Sequence, residues 1–81
     1  MLKLKIVSPE KVEFNGEVQS VFVPGTSGIF EILIDHAPII SSLEKGVVDY
    51  VKADGEKVSL DISGGFVEVQ KNNVSVCVEL D

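Results

Sequence analysis

The sequence contains one cysteine, one histidine and no tryptophan, and these shortages exclude several kinds of protein. Cys77 has no second cysteine with which to form an internal disulfide bond, so the chain is not a small disulfide-stabilised scaffold. His36 and Cys77 cannot supply the cluster of cysteine and histidine ligands that a structural zinc site needs. We therefore predict no metal site and a reducing compartment.

Basic residues are also scarce. Seven lysine and arginine residues stand against thirteen aspartate and glutamate residues, which gives a formal net charge of −6. A chain with this balance repels phosphate backbones and anionic lipid headgroups, so its charge disfavours binding to nucleic acid or directly to a membrane surface. A protein partner fits this charge better.

Long apolar runs are missing too, since no stretch approaches the roughly 20 residues that span a bilayer. The residues that follow Met1 alternate between apolar and basic types, unlike the continuous apolar segment of a signal peptide. The chain is expected to be cytosolic, or to be attached to a membrane only through another protein.

The apolar content is sufficient for one small core. With 81 residues, of which 44% are hydrophobic, we expect a single domain over residues 1–81 and not a disordered chain. This length is near the lower limit at which a core outweighs chain entropy. A marginal module that is supported by a partner is consistent with that limit.

Strand patterns dominate the first third of the chain. Leu2, Leu4 and Ile6 alternate with lysines, which predicts a strand with one buried face. A second short strand is predicted over residues 11–14, and Asn15-Gly16 then predicts a tight hairpin, because both residues tolerate positive φ. A third strand follows over residues 17–23. Both of its faces carry apolar residues, so we expect it to be buried on both sides.

Two more hairpins are predicted in the second half. The first joins strands at residues 47–52 and 57–62 through Asp54-Gly55, and the second joins residues 66–70 to 74–80. Gly64-Gly65 is interpreted as the break between these hairpins. Eight or so short strands at this spacing predict an all-β sandwich or small barrel.

Residues 28–46 differ from the rest of the chain, since they are rich in isoleucine and leucine yet contain the only histidine. This combination indicates a surface made for a partner. Residues 38–45 suit either two helical turns that begin at Pro38 or a short strand, and the sequence leaves both open. His36 either holds a chain reversal by hydrogen-bonding the backbone or contacts a partner.

No catalytic arrangement is evident. Neither His36 nor the carboxylates are spaced so that a base meets a nucleophile, and Cys77 lies in a valine-rich strand where packing is its expected role. The glycines at 25–28 and 64–65 lack the strand and helix context of dinucleotide or phosphate loops. We therefore predict a protein that is not catalytic by itself and binds no cofactor.

A carrier domain is the alternative from another class. Lipoyl and biotinyl domains are acidic β-sandwiches of about this size that carry a modified lysine at a hairpin tip. Lys52, followed by Ala53-Asp54-Gly55, superficially matches that arrangement. However, Val51 stands where those domains have Asp or Met.

Several short motifs, in their order and spacing, carry a more specific resemblance. They are LKIVSP at 4–9, then residues 16–18, 23–26, 28–38, 43, 46–47, 63–69 and 73–76. With them the chain resembles the N-terminal domain of the epsilon subunit of bacterial F-type ATP synthases over essentially its full length. The resemblance implies a flattened β-sandwich of about ten short strands, and it implies that residues 38–43 form a strand.

The same resemblance implies a role in the rotor. In this family the domain docks on the gamma subunit and on the cytoplasmic loops of the membrane c-ring, and so couples ion-driven rotation to ATP synthesis. The expected location is the cytoplasmic face of the bacterial inner membrane, with membrane contact only through partner subunits. Most epsilon subunits continue into two C-terminal helices, whereas this chain stops at Asp81 and is expected to be a short form.

The resemblance also assigns contact residues. The expected c-ring contact consists of Ser27, Gly28, Ile29, Phe30 and Glu31. His36, Ala37 and Pro38 are expected to help form the gamma/rotor interface, the surface that is shared with gamma and the ring. Family members commonly have Gly at the position of Glu31 and Pro-Gly at the positions of Ile34 and Asp35, so this chain differs from the pattern within the contact segment.

Overall fold

All regular secondary structure in the computed structural model, which describes residues 1–80, is β-strand. Eight strands occur in that range, in the order β1 (Leu2–Val7), β2 (Val12–Gly25), β3 (Gly28–Ile32), β4 (Ile39–Leu43), β5 (Gly46–Lys52), β6 (Lys57–Ile62), β7 (Gly64–Gln70) and β8 (Asn73–Glu79). The all-β prediction is confirmed. The count is eight instead of about ten, chiefly because β2 is one long strand.

Strand β2 belongs to both layers of the sandwich. Its first half pairs with β1, and this sheet continues from β1 to β8, then to β7 and β4. Its second half pairs with β3 on one side and with β5 on the other, and β5 pairs with β6. All of these pairs are antiparallel except β1 with β8. The molecule measures 29 × 23 × 18 Å, and its shortest dimension suits two sheets about 10 Å apart.

One apolar core lies between the layers, and every strand contributes to it. The alternation of β1 is confirmed, since Leu2, Leu4 and Ile6 are buried while the lysines between them are exposed. The other buried side chains are Val18, Val21, Val23, Ile32, Leu43, Val48, Tyr50, Ile62, Val67, Val69, Val74, Val76 and Val78. Nearly all are β-branched or Leu, which fits a pleated, half-buried surface.

The predicted hairpin at Asn15-Gly16 is wrong. These two residues lie inside β2, where Asn15 pairs with Lys5 and Gly16 pairs with Leu4. The chain turns earlier, at residues 8–11, where the Ser8 N–H donates to the Lys11 carbonyl at 2.9 Å. Asn-Gly favours a turn only locally, and the pairing of the whole segment with β1 outweighs that preference.

A β-bulge at Gln19 explains the unusual apolar pattern of β2. Val18 pairs with Lys52 and Ser20 pairs with Val51, so two steps along β2 match one step along β5. The extra residue reverses which positions face the core, and Val18 and Val21 are therefore both fully buried. The expectation that this segment is buried on both sides is wrong. Only one face of the strand meets the core, and the core-facing side chains are at even-numbered positions before the bulge and at odd-numbered positions after it.

The second half of the chain agrees better with its sequence pattern. The two hairpins β5–β6 and β7–β8 form as predicted. Residues Ile39–Leu43 form strand β4 and not helical turns, because they complete the hydrogen bonding of β7 from Val69 to Gly65. The strand that the family resemblance implies is therefore confirmed.

Gly64 and Gly65 are not a break but the first residues of β7, where they pair with Glu79 and Val78. Ser63 alone separates β6 from β7. Gly65 has a φ of 150°, and a Cβ built on it would lie 2.1 Å from the Cys77 carbonyl oxygen. Only glycine allows this close approach of two backbones.

Replacement of Gly65 tests that close approach. Gly65→Ala should lower the free energy of unfolding by about 4 kcal/mol or more, because β7 and β8 must separate to admit the methyl group. Gly55→Ala is the control, since Gly55 also has positive φ (92°) but nothing within 4 Å of its Cβ position. The control should lose only about 1–2 kcal/mol. Equal losses in urea unfolding would contradict the steric explanation.

Tyr50 is the only tyrosine, and it lies at the edge of the core with 7% of its surface exposed. Its ring packs against Phe14, with 4.6 Å between the ring centroids. Burial raises the pKa of the Tyr50 hydroxyl above its ordinary value of 10.0; Lys52 opposes this shift and Glu56 adds to it. Because the folded-state pKa is raised, the stabilising contribution is complete below pH 10 and is lost as the pH rises through the folded-state pKa.

Absorbance titration can measure this shift directly, since the chain has no tryptophan. We expect the tyrosinate midpoint of the folded protein to lie above 10.0 and to return to that value in denaturant. Stability should fall with rising pH in this alkaline range, and Tyr50→Phe should flatten the dependence. A folded-state midpoint at or below the denatured one would show that Tyr50 is solvated.

Candidate functional site

The candidate site is the strip of chain that runs from the β2–β3 turn to the start of β4, residues 26–38. In the turn, Gly25 pairs with Gly28, and Thr26 donates its N–H to the Ser42 carbonyl at 3.2 Å. The Glu44 N–H in turn donates to the Pro24 carbonyl at 2.9 Å. These bonds hold the turn against the end of β4.

Strand β3 divides the predicted c-ring residues between two sides. Ser27, Gly28, Ile29 and Glu31 are exposed, and Ile29 keeps 78% of its surface in solvent. Phe30 instead points inward, where it packs against the core. Only four of the five residues are therefore available as surface contacts, because alternate side chains of a strand point to opposite faces.

Gly25 makes room for the Phe30 ring. A Cβ on Gly25 would lie 2.9 Å from Phe30 Cε1 and 2.8 Å from the Gly28 carbonyl oxygen. The glycine in this turn thus has a packing reason, which is to let the aromatic ring lie across the backbone. Phe30 supports the exposed residues of β3 from beneath.

The chain reverses after β3, and His36 helps to hold this reversal. The His36 N–H donates to the Leu33 carbonyl at 3.2 Å, and Asp35 between them has a φ of 63°. The His36 Nδ1 lies 2.7 Å from the Ala37 carbonyl, which can only accept, so this nitrogen carries the proton. The His36 side chain thus bonds the backbone at the end of the reversal, as its structural interpretation expects, and its Nε2 atom is not used in that bond.

The structure brings only part of the predicted site together. The rings of Phe30 and His36 face each other with 6.4 Å between their centroids. Ser27 and Gly28 lie at the other end of β3 from the reversal, about 13 Å along the strand. The 27–31 segment and the 36–38 segment thus form one strip and not one compact patch.

Sequence reasoning missed three residues in this region. Leu33 and Ile34 fall between the two predicted contact segments, and they lie beyond the end of β3 with 49% and 53% of their surfaces exposed. Asn72, in the β7–β8 turn, accepts a hydrogen bond from the Asp35 N–H at 2.6 Å. Asp35 was the one available signal, since Asp directly after an apolar run tolerates the positive φ of a reversal.

Lys52 does not lie at the tip of its hairpin, where the carrier alternative expects a modified lysine. It is the last residue of β5 and precedes the hairpin tip, and its ammonium group forms an ion pair with Glu56 at 3.0 Å. The hydrogen bond with the Glu56 carboxylate raises the pKa of Lys52. The lysine is thus tied to its own hairpin.

Residues 1–80 contain no group of three or more His, Cys, Asp or Glu side chains that could hold a metal ion. In the same part of the chain, no helix is long and apolar enough to cross a membrane.

Comparison with known proteins gives a consistent match. The family model for the ATP synthase, Delta/Epsilon chain, beta-sandwich domain matches residues 1–80. The ATP synthase epsilon chain of Leptospira interrogans is 42% identical over 78 residues, which are 96% of this chain and 61% of that protein. The ATP synthase epsilon chain of Chlorobium limicola is 43% identical over 77 residues, which are 95% of this chain and 88% of that protein.

Solved structures share the fold. A chain of the Euglena gracilis mitochondrial ATP synthase matches 95% of this chain and 49% of its own length, with a TM-score of 0.89 and 22% identity. A chain from the central stalk/c-ring structure of the Tetrahymena thermophila mitochondrial ATP synthase has a TM-score of 0.79 and 15% identity, and covers 96% of this chain and 63% of its own. At these identities the likeness establishes the fold alone.

Neighbouring substitutions in β3 test the division of its side chains. Phe30→Ala should lower the free energy of unfolding by about 2 kcal/mol, because the ring packs on the core. Ile29→Ala should change it by less than about 0.5 kcal/mol, since that side chain lies in solvent. Urea denaturation followed by circular dichroism measures both. A larger loss for Ile29→Ala than for Phe30→Ala would reverse the assignment of faces.

Proposed function

The chain belongs to the ATP synthase delta/epsilon family through its β-sandwich domain, and from this premise we propose that it is a non-catalytic central-stalk subunit of a bacterial F-type ATP synthase. The match of the family model to residues 1–80 carries the proposal. Relatives at 42–43% identity are named ATP synthase epsilon chain. The chain covers 61% of the Leptospira protein, so the role of that whole protein is part of the proposal.

In this role the domain docks on the gamma subunit and on the loops of the c-ring, and transmits ion-driven rotation to the catalytic subunits. It acts at the cytoplasmic face of the bacterial inner membrane and meets the membrane only through these partners. Its net charge of −6 supports this arrangement, because anionic lipid headgroups repel an acidic domain. Both structural neighbours come from ATP synthase assemblies that include a c-ring, which also supports it.

The c-ring contact consists of Ser27, Gly28, Ile29 and Glu31, with Phe30 as the residue that supports them from the core side. A contact that bears torque must not yield when it is loaded. Strand β3 meets this requirement because it is hydrogen-bonded along its length to β2, which runs through both sheets. The exposure of Ile29 supports its choice as the apolar anchor, since a large apolar side chain gains most from being covered.

The gamma interface consists of His36, Ala37 and Pro38. Ala37 and Pro38 are exposed, and His36 is half-buried against Phe30. The protonated Nδ1 is already bonded to the Ala37 carbonyl, so Nε2 is the ring atom that is left for a partner. The segment joins β3 to β4 and therefore links the two sheets at the proposed rotor surface.

Two exposed isoleucines provide a matched test of the c-ring contact. Ile29→Asp should weaken binding to a gamma–c-ring subcomplex by at least about tenfold, because it places a charge in a covered apolar contact. Ile40→Asp is the control: Ile40 is 73% exposed, against 78% for Ile29, but lies on β4 outside the proposed contact. Binding to the subcomplex in nanodiscs can be measured by biolayer interferometry.

The two outcomes bear on different parts of the proposal. Equal affinities for Ile29→Asp, Ile40→Asp and the unchanged chain would refute the contact at β3. A failure of the unchanged chain to bind gamma from the same organism would refute the central-stalk function itself.

A further inference from the structure

The reversal after β3 depends on an unusual backbone conformation at Asp35. Its φ of 63° lies in the left-handed region, which most residues other than glycine avoid. Aspartate tolerates this region better than most, but its own preference is weak. A hydrogen bond from outside the segment would therefore stabilise this conformation further.

Asn72 supplies that support from a distant part of the chain. Its side-chain oxygen accepts the Asp35 N–H at 2.6 Å, and its side-chain nitrogen donates to Asp35 Oδ1 at 3.4 Å. The two residues are 37 positions apart, so this pair of bonds, here called the 35–72 clamp, joins the reversal to the β7–β8 turn. The carboxylate acceptor makes the second bond charge-assisted.

Asn72 is itself held firmly. Lys71 and Asn72 have φ angles of 50° and 64°, as in the two-residue turns that connect tightly paired strands. The Asn72 carbonyl accepts the Lys3 N–H at 2.8 Å, which attaches the turn to the start of β1. The clamp therefore fixes the reversal to three strands of one sheet.

The reversal presents two apolar side chains. Leu33 and Ile34 directly precede Asp35, and about half of each side chain is exposed. In sequence, Leu33 continues the outward positions of β3, after Ile29 and Glu31. The outward-facing row of the proposed c-ring contact thus extends past Glu31 to Leu33, beside the clamp.

We propose that Asn72 is a positioning residue, which through the 35–72 clamp holds Leu33 and Ile34 as additional contacts for the c-ring loops. The proposal rests on the proposed function, which supplies the partner, and it extends the contact beyond residues 27–31. A fixed reversal meets its partner without the entropy cost of ordering a mobile loop. A fixed reversal also suits a contact that bears load, because its side chains keep their positions when force is applied.

Substitution of Asn72 by glycine separates the clamp from the turn. Asn72→Gly removes both side-chain bonds, while glycine keeps the positive φ and the carbonyl that binds Lys3. We expect faster hydrogen exchange at the Asp35 amide and an affinity for the gamma–c-ring subcomplex that is about tenfold lower. Lys71→Gly, in the same turn and also at positive φ, should change neither quantity.

A second variant tests the contact without disturbing the clamp. Leu33→Ser with Ile34→Ser should weaken binding to the subcomplex by about tenfold or more, while exchange at the Asp35 amide stays slow. Amide exchange is measured by nuclear magnetic resonance on the isolated chain. The affinity of the chain is measured for the gamma–c-ring subcomplex in nanodiscs.

The results distinguish this inference from the proposed function. Unchanged exchange in Asn72→Gly, or faster exchange with unchanged affinity, would overturn the positioning role of Asn72. Unchanged affinity in the Leu33 and Ile34 variant would overturn the extended contact. If the unchanged chain does not bind the subcomplex, the proposed function fails and the contact role fails with it, although the exchange data still report on the clamp.

Discussion

Strand β2 is the constraint on which the rest of the structure depends. It pairs extensively with members of both layers, with β1 along its first half and with β3 and β5 along its second half. The bulge at Gln19 permits this pairing with both layers. It adds one residue to the strand, so that the side chains of Val18 before it and Val21 after it both face the core. Without the extra residue, a strict alternation would carry Val21 and Val23 to the solvent face of the sheet. One inserted residue thus keeps a single core continuous across both sheets.

The proposed contact surface is held in place by the pairing of β3 with β2. Strand β3 pairs only with β2, yet both of its ends are held: the turn at residues 26–27 by Ser42, and the reversal by Asn72. Between these ends, Phe30 packs over Gly25 and faces His36. The exposed residues of the strip therefore lie on a framework of buried and hydrogen-bonded groups. This is the physical form expected of a surface that passes force between subunits, and it needs no catalytic group.

Charge and family membership point in the same direction. This acidic member of the ATP synthase delta/epsilon family gains no attraction from an anionic membrane, so in the proposed role only protein contacts can hold it beside the membrane. Its exposed isoleucine and leucine side chains are the surface from which such contacts gain most. The small size of the domain fits the same view, because a core of this extent leaves a modest margin of stability and partners can add to it.

The sequence by itself determined the all-β class, the alternating strand β1 and the hairpins β5–β6 and β7–β8, because each depends on neighbours that are close along the chain. The motif order also led to the family and to the strand at residues 38–43, and it is the source of the proposed contact segments at residues 27–31 and 36–38. Only the tertiary structure decided that Asn15-Gly16 pairs with β1 and forms no turn, that Phe30 points inward while Ile29 points outward, and that Asp35 is joined to Asn72. The physical reason is common to all three: each outcome is set by pairing or packing with another segment of the chain, and the local pattern of a segment does not say which other segment will lie against it.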